Sequence, residues 1–481
     1  MTERVPQWAD PRVAVAELPV ASYEAAGESD GHVAAAIERM ATVLGWGSGG
    51  NPFAAVIPPG ARVVVKPNWV LHENHGPWGI EPLLTHASLI RAVVRAVLNG
   101  EPSTVVVGDA PIQGCDFERL LTVTGIGEWG DSLSATDSRF GGVRDFRRTR
   151  CVFHHGVRQA LENQLPLEHF VLFDLGHQSL LEAITDRTGT FRVTQYDPAQ
   201  MARTHAPGTH QYLVARDILE ADVVINLPKL KTHKKAGLTC ALKNLIGING
   251  NKEYLPHHRV GGSEAGGDCY PGRSSVKRIL EHTYDELNSS RSPVPRRALL
   301  LASRMLHRLA RMQGDRLGVE GSWSGNDTIW RTCLDLNRIL LYGRTGGSLA
   351  AVPQRLVLNV VDAVIAGQGD GPLAPQPLSM GLLFAGSNSA AVDHVAAHLL
   401  GYDPRLIPIV REAFVQMSWP LSETLPEGVQ LLGDLGAGPA DKILSVPDTA
   451  VRLYPAGWLD AVASDRPKIA TTAGTDERVD A

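Results

Sequence analysis

Apolar runs of strand length alternate with segments of helical periodicity along the first hundred residues. Residues 13–18 and the run from Val63 are predicted to be strands, and residues 32–44 and 86–98 repeat apolar positions at helical spacing. A further apolar run at residues 104–107 is predicted to be a strand. Strand, helix and strand in this order are typical of a βαβ unit in a parallel sheet. We therefore predict an α/β fold, with a mostly parallel sheet, flanking helices, two lobes and a cleft at the carboxyl ends of the strands.

The same alternation continues towards the C-terminus. Further strands are predicted at residues 170–174, 223–227, 355–364 and 381–385, and helices at residues 291–312, from residue 328, and at residues 390–400. The helix at 291–312 is basic and amphipathic, so it either packs on the core with solvated arginines or lies on a membrane. The predicted segments are an N-terminal strand and helix extension at 1–59, a main α/β domain at 60–345, a C-terminal α/β lobe at 346–465 and a disordered tail at 466–481.

The distribution of lysine singles out one segment. The chain has ten lysines against thirty-six arginines, and six of the ten lie between Lys229 and Lys252. A lysine ammonium loses its proton readily when it is desolvated, so lysine can act as an acid, a base or a nucleophile. The apolar residues 223–227 lead into the segment, and Pro228 is predicted to end that strand. This order predicts a buried strand that delivers a loop to a cleft, with a basic surface loop as the alternative.

Three strand-to-loop junctions carry the candidate site. They are Lys66-Pro-Asn, Asp109-Ala-Pro and Pro228-Lys-Leu-Lys-Thr-His. Because ligands of open parallel sheets bind beyond the carboxyl ends of the strands, these junctions are expected around one crevice. Thr239 is expected to cap a short helix over residues 240–246, whose N-terminus favours an anion.

The candidate residues follow from this arrangement, and their positive charge favours a carboxylate or phosphate ligand. The candidate catalytic residues are His233, Lys243, Lys231 and Asp109. The candidate substrate-binding residues are Lys66, Asn68, Lys229, Thr239, Asn244 and Asp370. Asp370 lies between two glycines, which suits either a close approach to a ligand or a turn between two strands.

Histidines offer a candidate site for a divalent metal ion. His257 or His258, of which at most one would bind a given ion, could join His233 and a carboxylate such as Asp109 or Asp268. Histidines with a structural or surface role are the alternative. The five cysteines are scattered without a Cys-x-x-Cys pair, so no iron–sulfur cluster is expected.

The composition argues against a nucleic-acid-binding, a membrane-spanning and a secreted protein. The net charge of -5 and the pI near 6.4 argue against a nucleic-acid-binding protein, whose binding face is usually basic. No apolar run approaches the length of a membrane span, and the N-terminal residues lack the apolar region of a signal peptide. Together with the unpaired cysteines, these features predict a cytoplasmic protein.

Six short motifs together resemble the domain-of-unknown-function 362 family, over about residues 60–405. They are Lys66-Pro-Asn, Gly108-Asp-Ala-Pro, Leu227-Pro-Lys-Leu-Lys-Thr-His, Leu242-Lys-Asn-Leu-Ile-Gly, Gly369-Asp-Gly-Pro and Ala391-Val-Asp. The family implies no settled reaction. Many of its members carry a ferredoxin-like cluster domain, and its absence from this chain counts against electron transfer.

The central segment is also similar, more distantly, to the nickel-pincer lactate racemase family. The similarity runs through Ala221-Asp-Val-Val-Ile, His233, Ala236-Gly-Leu-Thr and Lys243. It implies that His233 is a catalytic acid or base and that Lys243 anchors the pincer cofactor. A histidine at position 257 or 258 would then bind nickel.

This chain departs from the racemase pattern at two places. Thr239-Cys240-Ala241 replaces the Ser-Gly-Gly of that family, and the strand near Asp109 lacks the second catalytic histidine. We therefore expect the fold and the position of the cleft to carry over, but not the pincer cofactor.

Three functions remain open. The first is an enzyme, in specialised metabolism, that acts on a small anionic metabolite by lysine and histidine acid–base or metal-assisted chemistry; racemisation or epimerisation is one such reaction. The second is a metal-binding or redox accessory protein without its own iron–sulfur domain. The third is a non-catalytic binding module. Lysine and histidine at the ends of buried strands favour the enzyme, because such groups are costly to bury.

Overall fold

The computed structural model describes residues 7–19, 23, 31–154, 157–162, 165–194, 196–290, 292–444 and 452–471. Before residue 220 the strands are β1 (Arg12–Glu17), β2 (Arg62–Pro67), β3 (Thr104–Asp109), β4 (Phe140–Asp145), β5 (Thr149–His154), β6 (Val157–Glu162), β7 (Phe170–Asp174), β8 (Phe191–Arg192), β9 (His205–Ala206) and β10 (Thr209–Ala215). After it they are β11 (Val223–Leu227), β12 (Lys229–His233), β13 (Gly237–Thr239), β14 (His258–Arg259), β15 (Leu356–Asp370), β16 (Ala374–Gly386), β17 (Gln430–Gly433), β18 (Gly438–Pro439), β19 (Leu453–Tyr454) and β20 (Ile469–Ala470).

The helices confirm most of the predicted helical segments. In the first half they are α1 (Gly31–Leu44), α2 (Ala87–Leu98), α3 (Phe117–Thr124), α4 (Ile126–Thr136), α5 (Pro198–Thr204), α6 (Arg216–Glu220) and α7 (Ala241–Asn244). In the second half they are α8 (Ser275–Ser289), α9 (Pro293–Met312), α10 (Ile329–Tyr342), α11 (Ser389–Leu399), α12 (Pro408–Glu412) and α13 (Ala440–Ile443). None of the helices described is both long and apolar enough to span a bilayer.

One eleven-stranded sheet organises the molecule and confirms the predicted α/β class. Its main order is β18-β17-β1-β16-β15-β11-β2-β3-β4, with β12 paired to β15 and β13 paired to β12. The run from β15 to β4 is parallel, whereas β16 lies antiparallel to both β15 and β1. The sheet is therefore mostly parallel where it carries the candidate site.

The parallel strands are apolar on both faces because helices cover both faces. In β2, Val63 and Val65 face one core and Val64 faces the other. Helices α1 and α2 pack on the first core, and α10 and α11 pack on the second. This is the burial expected of a parallel sheet between two helical layers, and it leaves the strand ends as the natural position for polar groups.

The predicted segments do not form separate sheets. Strands from the 1–59, 60–345 and 346–465 segments all join the central sheet, through β1, β2 and β15. The first residues of the predicted tail are placed in the structure, since Ile469 and Ala470 pair with Leu453 and Tyr454. Residues 472–481 of that tail lie outside the described residues, and the predicted cleft between two lobes stays a prediction.

The prediction of a loop after Pro228 is wrong. Residues 229–233 form strand β12, which pairs with β15 in parallel and with β13 in antiparallel orientation. The register against β15 shifts between Lys229 and Lys231, so the chain turns out of line with β11 without leaving the sheet. Pro228 thus separates two strands, and its carbonyl accepts a hydrogen bond from the Asp362 amide.

Candidate functional site

The helix that follows β13 is shorter than predicted and is capped by a different residue. Helix α7 spans Ala241–Asn244, and Thr239 does not cap it, because the Thr239 hydroxyl is buried without a hydrogen-bond partner. The carboxylate of Asp393, on α11, instead accepts hydrogen bonds from the Ala241 amide (2.6 Å) and the Leu242 amide (3.2 Å). The anion expected at this helix N-terminus is therefore the Asp393 carboxylate, and substrate binding by Thr239 stays a prediction.

Burial changes the ionisation of the capping carboxylate. Desolvation raises the pKa of Asp393 to about 7, while hydrogen bonds from Cys240 and the two amides oppose that rise. The Cys240 thiol is itself buried, with a pKa raised well above its ordinary value by desolvation and by Asp393. Both groups serve to hold α7 against α11.

Four lysines, which we call the lysine cluster, lie close enough to influence one another near the carboxyl ends of β2 and β3. They are Lys66, Lys231, Lys243 and Lys252. All four are buried, and Lys243 is the most exposed of them at 8%. Desolvation lowers the pKa of each, to about 7 for Lys252. The sequence separation of Lys66 from the others shows that the sheet, not the local motif, assembles the cluster.

One member of the cluster forms an ion pair with a predicted catalytic residue. The Lys66 Nζ lies 2.8 Å from Asp109 Oδ1, and the two side chains are almost completely buried. The second oxygen, Asp109 Oδ2, accepts a hydrogen bond from the Trp69 amide (2.7 Å). Burial raises the pKa of Asp109, and the charge of Lys66 counteracts this effect. A side chain at Gly247 would overlap Asp109 Oδ1, so this position requires glycine.

Lys243 differs from the rest of the cluster in its contacts. It forms no hydrogen bond or ion pair within the described residues, although it is buried. Its positive charge lowers the pKa of Lys231, Lys252 and His233, so it lies within electrostatic range of all three. Lys243 is thus the centre of the cluster and its one member without a bound partner.

His233 is held in a single orientation at the end of β12. Its Nδ1 accepts hydrogen bonds from the Lys235 amide (3.0 Å) and the Ala236 amide (3.2 Å). The ring proton of the neutral imidazole therefore lies on Nε2. Desolvation, followed by the charges of Lys243 and Lys235, lowers the pKa of His233 well below its ordinary value, so the ring is neutral at pH 7.

Asn68 and Asn244 belong to a buried ladder of asparagines beside the cluster. The Asn68 Nδ2 donates to Asn244 Oδ1 (2.8 Å), and Asn244 Nδ2 donates to Asn226 Oδ1 (2.8 Å). Asn226 in turn donates to Asn359, its register partner in the neighbouring parallel strand. The ladder leaves Asn68 Oδ1 buried without a partner, so Asn68 keeps one acceptor for a ligand.

Two predicted substrate-binding residues are occupied elsewhere. Lys229 forms a buried ion pair with Asp362 (2.8 Å) and a hydrogen bond with Tyr23. Asp370 accepts a hydrogen bond from Thr471 (3.1 Å), in the C-terminal segment. The contacts described for these two side chains do not include a member of the lysine cluster.

The two candidate metal-binding histidines have different surroundings. The His257 Nδ1 is hydrogen-bonded to the Leu255 carbonyl (2.6 Å), which leaves its Nε2 as an acceptor. Desolvation, followed by the charges of Lys235 and Lys243, lowers the pKa of His257 well below its ordinary value. The His258 ring is buried, with Nδ1 unpartnered. Where the structure describes the chain, the group of three side chains spaced for a metal ion does not contain either histidine. Asp109, which was suggested as a carboxylate ligand of the same metal, is paired with Lys66. Metal binding at position 257 or 258 stays a prediction.

An open cavity lies away from the lysine cluster. It has a volume of about 290 Å³ and is bordered by Trp330, Arg411 and Asp460 among others. None of the predicted site residues lines it. The cluster itself is almost closed, since Lys243 and Lys252 are 8% and 6% exposed and the other two lysines are fully buried.

The residues of the candidate site lie in the part of the chain that matches a known protein family. Over residues 63–161 and 173–398 the chain matches the family described as Domain of unknown function (DUF362). The chain belongs to this family. The DUF362 match includes all four lysines of the cluster, their partner Asp109 and the capping residue Asp393.

Two further comparisons relate the DUF362 chain to known proteins. A thylakoid-associated protein of Synechocystis sp. is 23% identical over 235 residues, which is 48% of this chain and 47% of that protein. The chain thus spans about half the length of this curated relative. A crystal structure of a Thermotoga maritima protein covers 78% of this chain and 60% of its own, with 10% identity and a TM-score of 0.33. The similarity to lactate racemases stays a prediction.

Within the DUF362 match, three kinds of residue escaped the sequence analysis. Asn226 and Asn359 each interrupt an apolar strand, and they lie opposite each other in β11 and β15. Aligning those two strands in the sequence would have shown that the two polar residues coincide. Lys252 was visible only as one of the clustered lysines, and Cys333, whose buried thiol has a pKa raised to about 12, gave no signal. Of the lysines predicted around one crevice, Lys66 and Lys231 lie in the lysine cluster, whereas Lys229 is paired with Asp362.

Proposed function

We propose that this protein is an enzyme that acts on a small anionic metabolite, bearing a carboxylate or a phosphate, by lysine and histidine chemistry. The observation that carries the proposal is the Lys243 ammonium, which is buried and without a hydrogen-bond partner in the described part of the chain. A buried ammonium is costly unless an anion accompanies it or it gives up its proton. Both outcomes suit a site that binds and activates an anionic ligand.

The charge balance around Lys243 supports this choice of ligand. The Lys231 Nζ donates to the Leu83 carbonyl (2.6 Å), and the Lys252 Nζ donates to the Ala110 carbonyl (2.8 Å). Neither lysine forms an ion pair among the described residues, and the carboxylate whose charge acts on both, Asp109, is already paired with Lys66. Lys231, Lys243 and Lys252 therefore lack a compensating negative charge of their own. A bound carboxylate or phosphate would supply it and would raise the pKa values of all three.

Two groups near Lys243 have the properties of reacting groups. The Nε2–H of His233 would donate to an oxyanion that develops on the ligand, as a neutral imidazole can. Lys231, whose pKa is well below its ordinary value, would be the neutral amine that removes a proton. Proton abstraction beside a carboxylate, as in a racemase, would suit this pair. A metal ion on Nε2 of His257 would assist by polarising the ligand.

The first test asks whether Lys243 binds an anion. Melting temperatures would be measured with a panel of carboxylates and phosphorylated metabolites, because a ligand of the folded state raises the apparent stability. We expect one chemical class to raise the melting temperature by a few degrees. Lys243→Ala and Lys243→Arg should both lose the response, since the larger guanidinium does not fit a closed site and does not give up its proton.

The matched control is Lys468→Ala, which removes an exposed lysine far along the chain from the cluster. It should keep the response of the natural chain. A Lys243→Arg variant that responds like the natural chain would contradict the proposal, as would a natural chain that does not respond to any member of the panel at millimolar concentration. Lys243 would then be structural.

A second candidate function is association with a membrane surface from a cytoplasmic location. The side chains of α9 exposed to solvent include five large apolar residues at helical spacing: Val294, Leu301, Met305, Leu309 and Met312. Four arginines, at 297, 304, 308 and 311, lie on the same exposed half, and the helix contains no acidic residue. An apolar stripe beside arginines suits a membrane with anionic lipids. The thylakoid association named for the Synechocystis relative supports this candidate.

Sedimentation with vesicles would test this surface. We expect binding to vesicles of phosphatidylglycerol and phosphatidylcholine, and weaker binding to phosphatidylcholine alone. Leu301→Asp with Met305→Asp should lower the binding about tenfold or more, because burial of each side chain contributes about 1.5–3 kcal/mol. Leu425→Asp, which alters an equally exposed leucine elsewhere, should bind like the natural chain. Equal binding by all variants, or no binding by the natural chain, would overturn this candidate.

A further inference from the structure

Two histidines and one aspartate converge in the C-terminal part of the chain, outside the lysine cluster. His394 and His398 are four residues apart on α11, so both rings lie on one face of the helix. The Nε2 atoms of both rings contact the same oxygen, Asp441 Oδ1, at 2.6 Å and 2.9 Å. Asp441 lies on the short helix α13. Three groups that ligate metals thus lie together with their ligand atoms within 4.8 Å of one another.

The burial of these side chains suits an ion that enters from solvent. The His394 and His398 side chains are 4% and 16% exposed, whereas the Asp441 side chain is 44% exposed. The rings are therefore held by packing, while the carboxylate can reach the solvent. Such a site has two fixed ligands, one adjustable ligand and an open position.

The charge of the group also favours a cation. Within the described residues, Asp441 forms ion pairs with these two histidines and with no lysine or arginine. With the imidazoles in the neutral form in which they bind a metal, the group would carry the negative charge of the Asp441 carboxylate. A divalent ion would be attracted by that charge.

We propose that His394, His398 and Asp441 form a binding site for a divalent transition-metal ion of the zinc class. The ligand atoms would be the two Nε2 atoms and Asp441 Oδ1, and a solvent molecule would take the fourth position. Imidazole nitrogen suits zinc, nickel and copper, whereas calcium and magnesium prefer sites made of oxygen atoms. This inference does not depend on the proposed function at the lysine cluster.

The observed geometry is close to the geometry that such an ion needs. Zinc binds nitrogen and oxygen at about 2.0–2.2 Å, which places tetrahedral ligand atoms about 3.3 Å apart. The two distances to Asp441 Oδ1 are shorter because the groups are joined by hydrogen bonds. A movement of the exposed Asp441 side chain away from the rings would make room for the ion.

The position of the site indicates what the ion does. His394 follows Asp393, the residue whose carboxylate caps α7 beside the lysine cluster. A metal ion would join α11 to α13. Its ligand on α13, Asp441, lies forty-seven residues after His394 in the chain. We infer a stabilising role, because a metal that binds only the folded chain adds its binding energy to the stability.

Metal analysis of the full chain would test the site. After treatment with a chelator, the natural chain should take up about one equivalent of zinc, with a rise in melting temperature, and cobalt should give the visible absorption of a four-coordinate ion. Asp441→Asn and His398→Gln should each lower the zinc affinity about tenfold or more. If Asp441→Asn fails to fold, His398→Gln changes a partly exposed ring and remains a valid test.

Two controls separate this site from other histidines. His177→Gln removes an exposed histidine that forms a similar contact with Glu182, and it should bind zinc like the natural chain. The double variant His257→Ala with His258→Ala should also keep its zinc. No zinc uptake by the natural chain, or full uptake by His398→Gln, would overturn the proposal. Loss of zinc only in the double variant would overturn it as well and would move the metal to the lysine cluster.

Discussion

At the scale of single residues, the environment of a lysine decides what it can do. Lys229 and Lys243 belong to the same short motif, and both are buried. Lys229 is neutralised by Asp362, so it joins two strands and has no proton or charge to offer a ligand. Lys243 has no such partner in the described chain, and its charge acts on the groups around it. The same residue type therefore has a structural role at one position and a proposed functional role at the other.

Lys252 gives a prediction about pH. Its pKa is lowered to about 7 by desolvation, and Lys243, Lys66 and Arg147 contribute while Asp109 opposes them. Below pH 7 both the folded and the unfolded chain hold this proton, and the folded chain carries the full cost of a buried charge. Between about pH 7 and 10.5 the unfolded chain binds more protons, so the contribution of this residue to stability improves as the pH rises.

Replacing Lys252 by methionine should therefore stabilise the protein near pH 6, by on the order of 2 kcal/mol, and the gain should shrink towards about pH 10. Chemical unfolding at both pH values, compared with the natural chain, measures the difference. Lys468→Met, at an exposed position, is the control for the loss of a lysine side chain as such. A Lys252→Met variant with the same change in stability at both pH values would show that Lys252 is not desolvated in this way.

At the level of single elements, the N-cap of α7 was assigned to the wrong residue when only the neighbouring sequence was considered. Thr239 has the residue type and the position of an N-cap, but its hydroxyl is left unpartnered in the structure. Asp393 takes the cap because α11 packs against α7 and brings a carboxylate to the free amides. A charged acceptor forms stronger hydrogen bonds to those amides than a hydroxyl does.

This assignment predicts opposite effects for two small substitutions. Asp393→Asn should destabilise the fold by about 1–3 kcal/mol, because the side-chain amide cannot accept from both backbone groups. Thr239→Val should be neutral or slightly stabilising, since it removes a buried hydroxyl without a partner. Urea unfolding of both variants, with a chelator present to exclude any metal effect, provides the comparison. Greater loss of stability in Thr239→Val than in Asp393→Asn would restore Thr239 as the cap.

At the scale of the whole molecule, the central sheet assembles the candidate site from distant parts of the chain. The ends of β2 and β3 supply Lys66 and Asp109, and the segment after β11 supplies Lys231 and Lys243. These strands are neighbours in a parallel sheet that is apolar on both faces. Polar side chains beyond the last apolar residue of each strand therefore meet at one edge, where they are buried by α7, α10 and α11.

From the sequence alone, β1, β2, β3, β11, β15 and the end of β16 were predicted, because a run such as residues 63–65 is apolar at every position and is stable only when buried on both faces. The sequence did not predict β4, β12, β13, β17 and β18. It also predicted that Lys66, Lys229 and Lys231, at the ends of two strands, lie around one crevice, because parallel strands end at the same edge. Only the tertiary structure decided which of those lysines are neutralised. Lys229 meets Asp362 and Lys66 meets Asp109 through pairings between distant strands, and Lys243 meets no carboxylate among the described residues. Ion pairs and caps of this kind depend on which elements become neighbours, and a local pattern of residues does not contain that information.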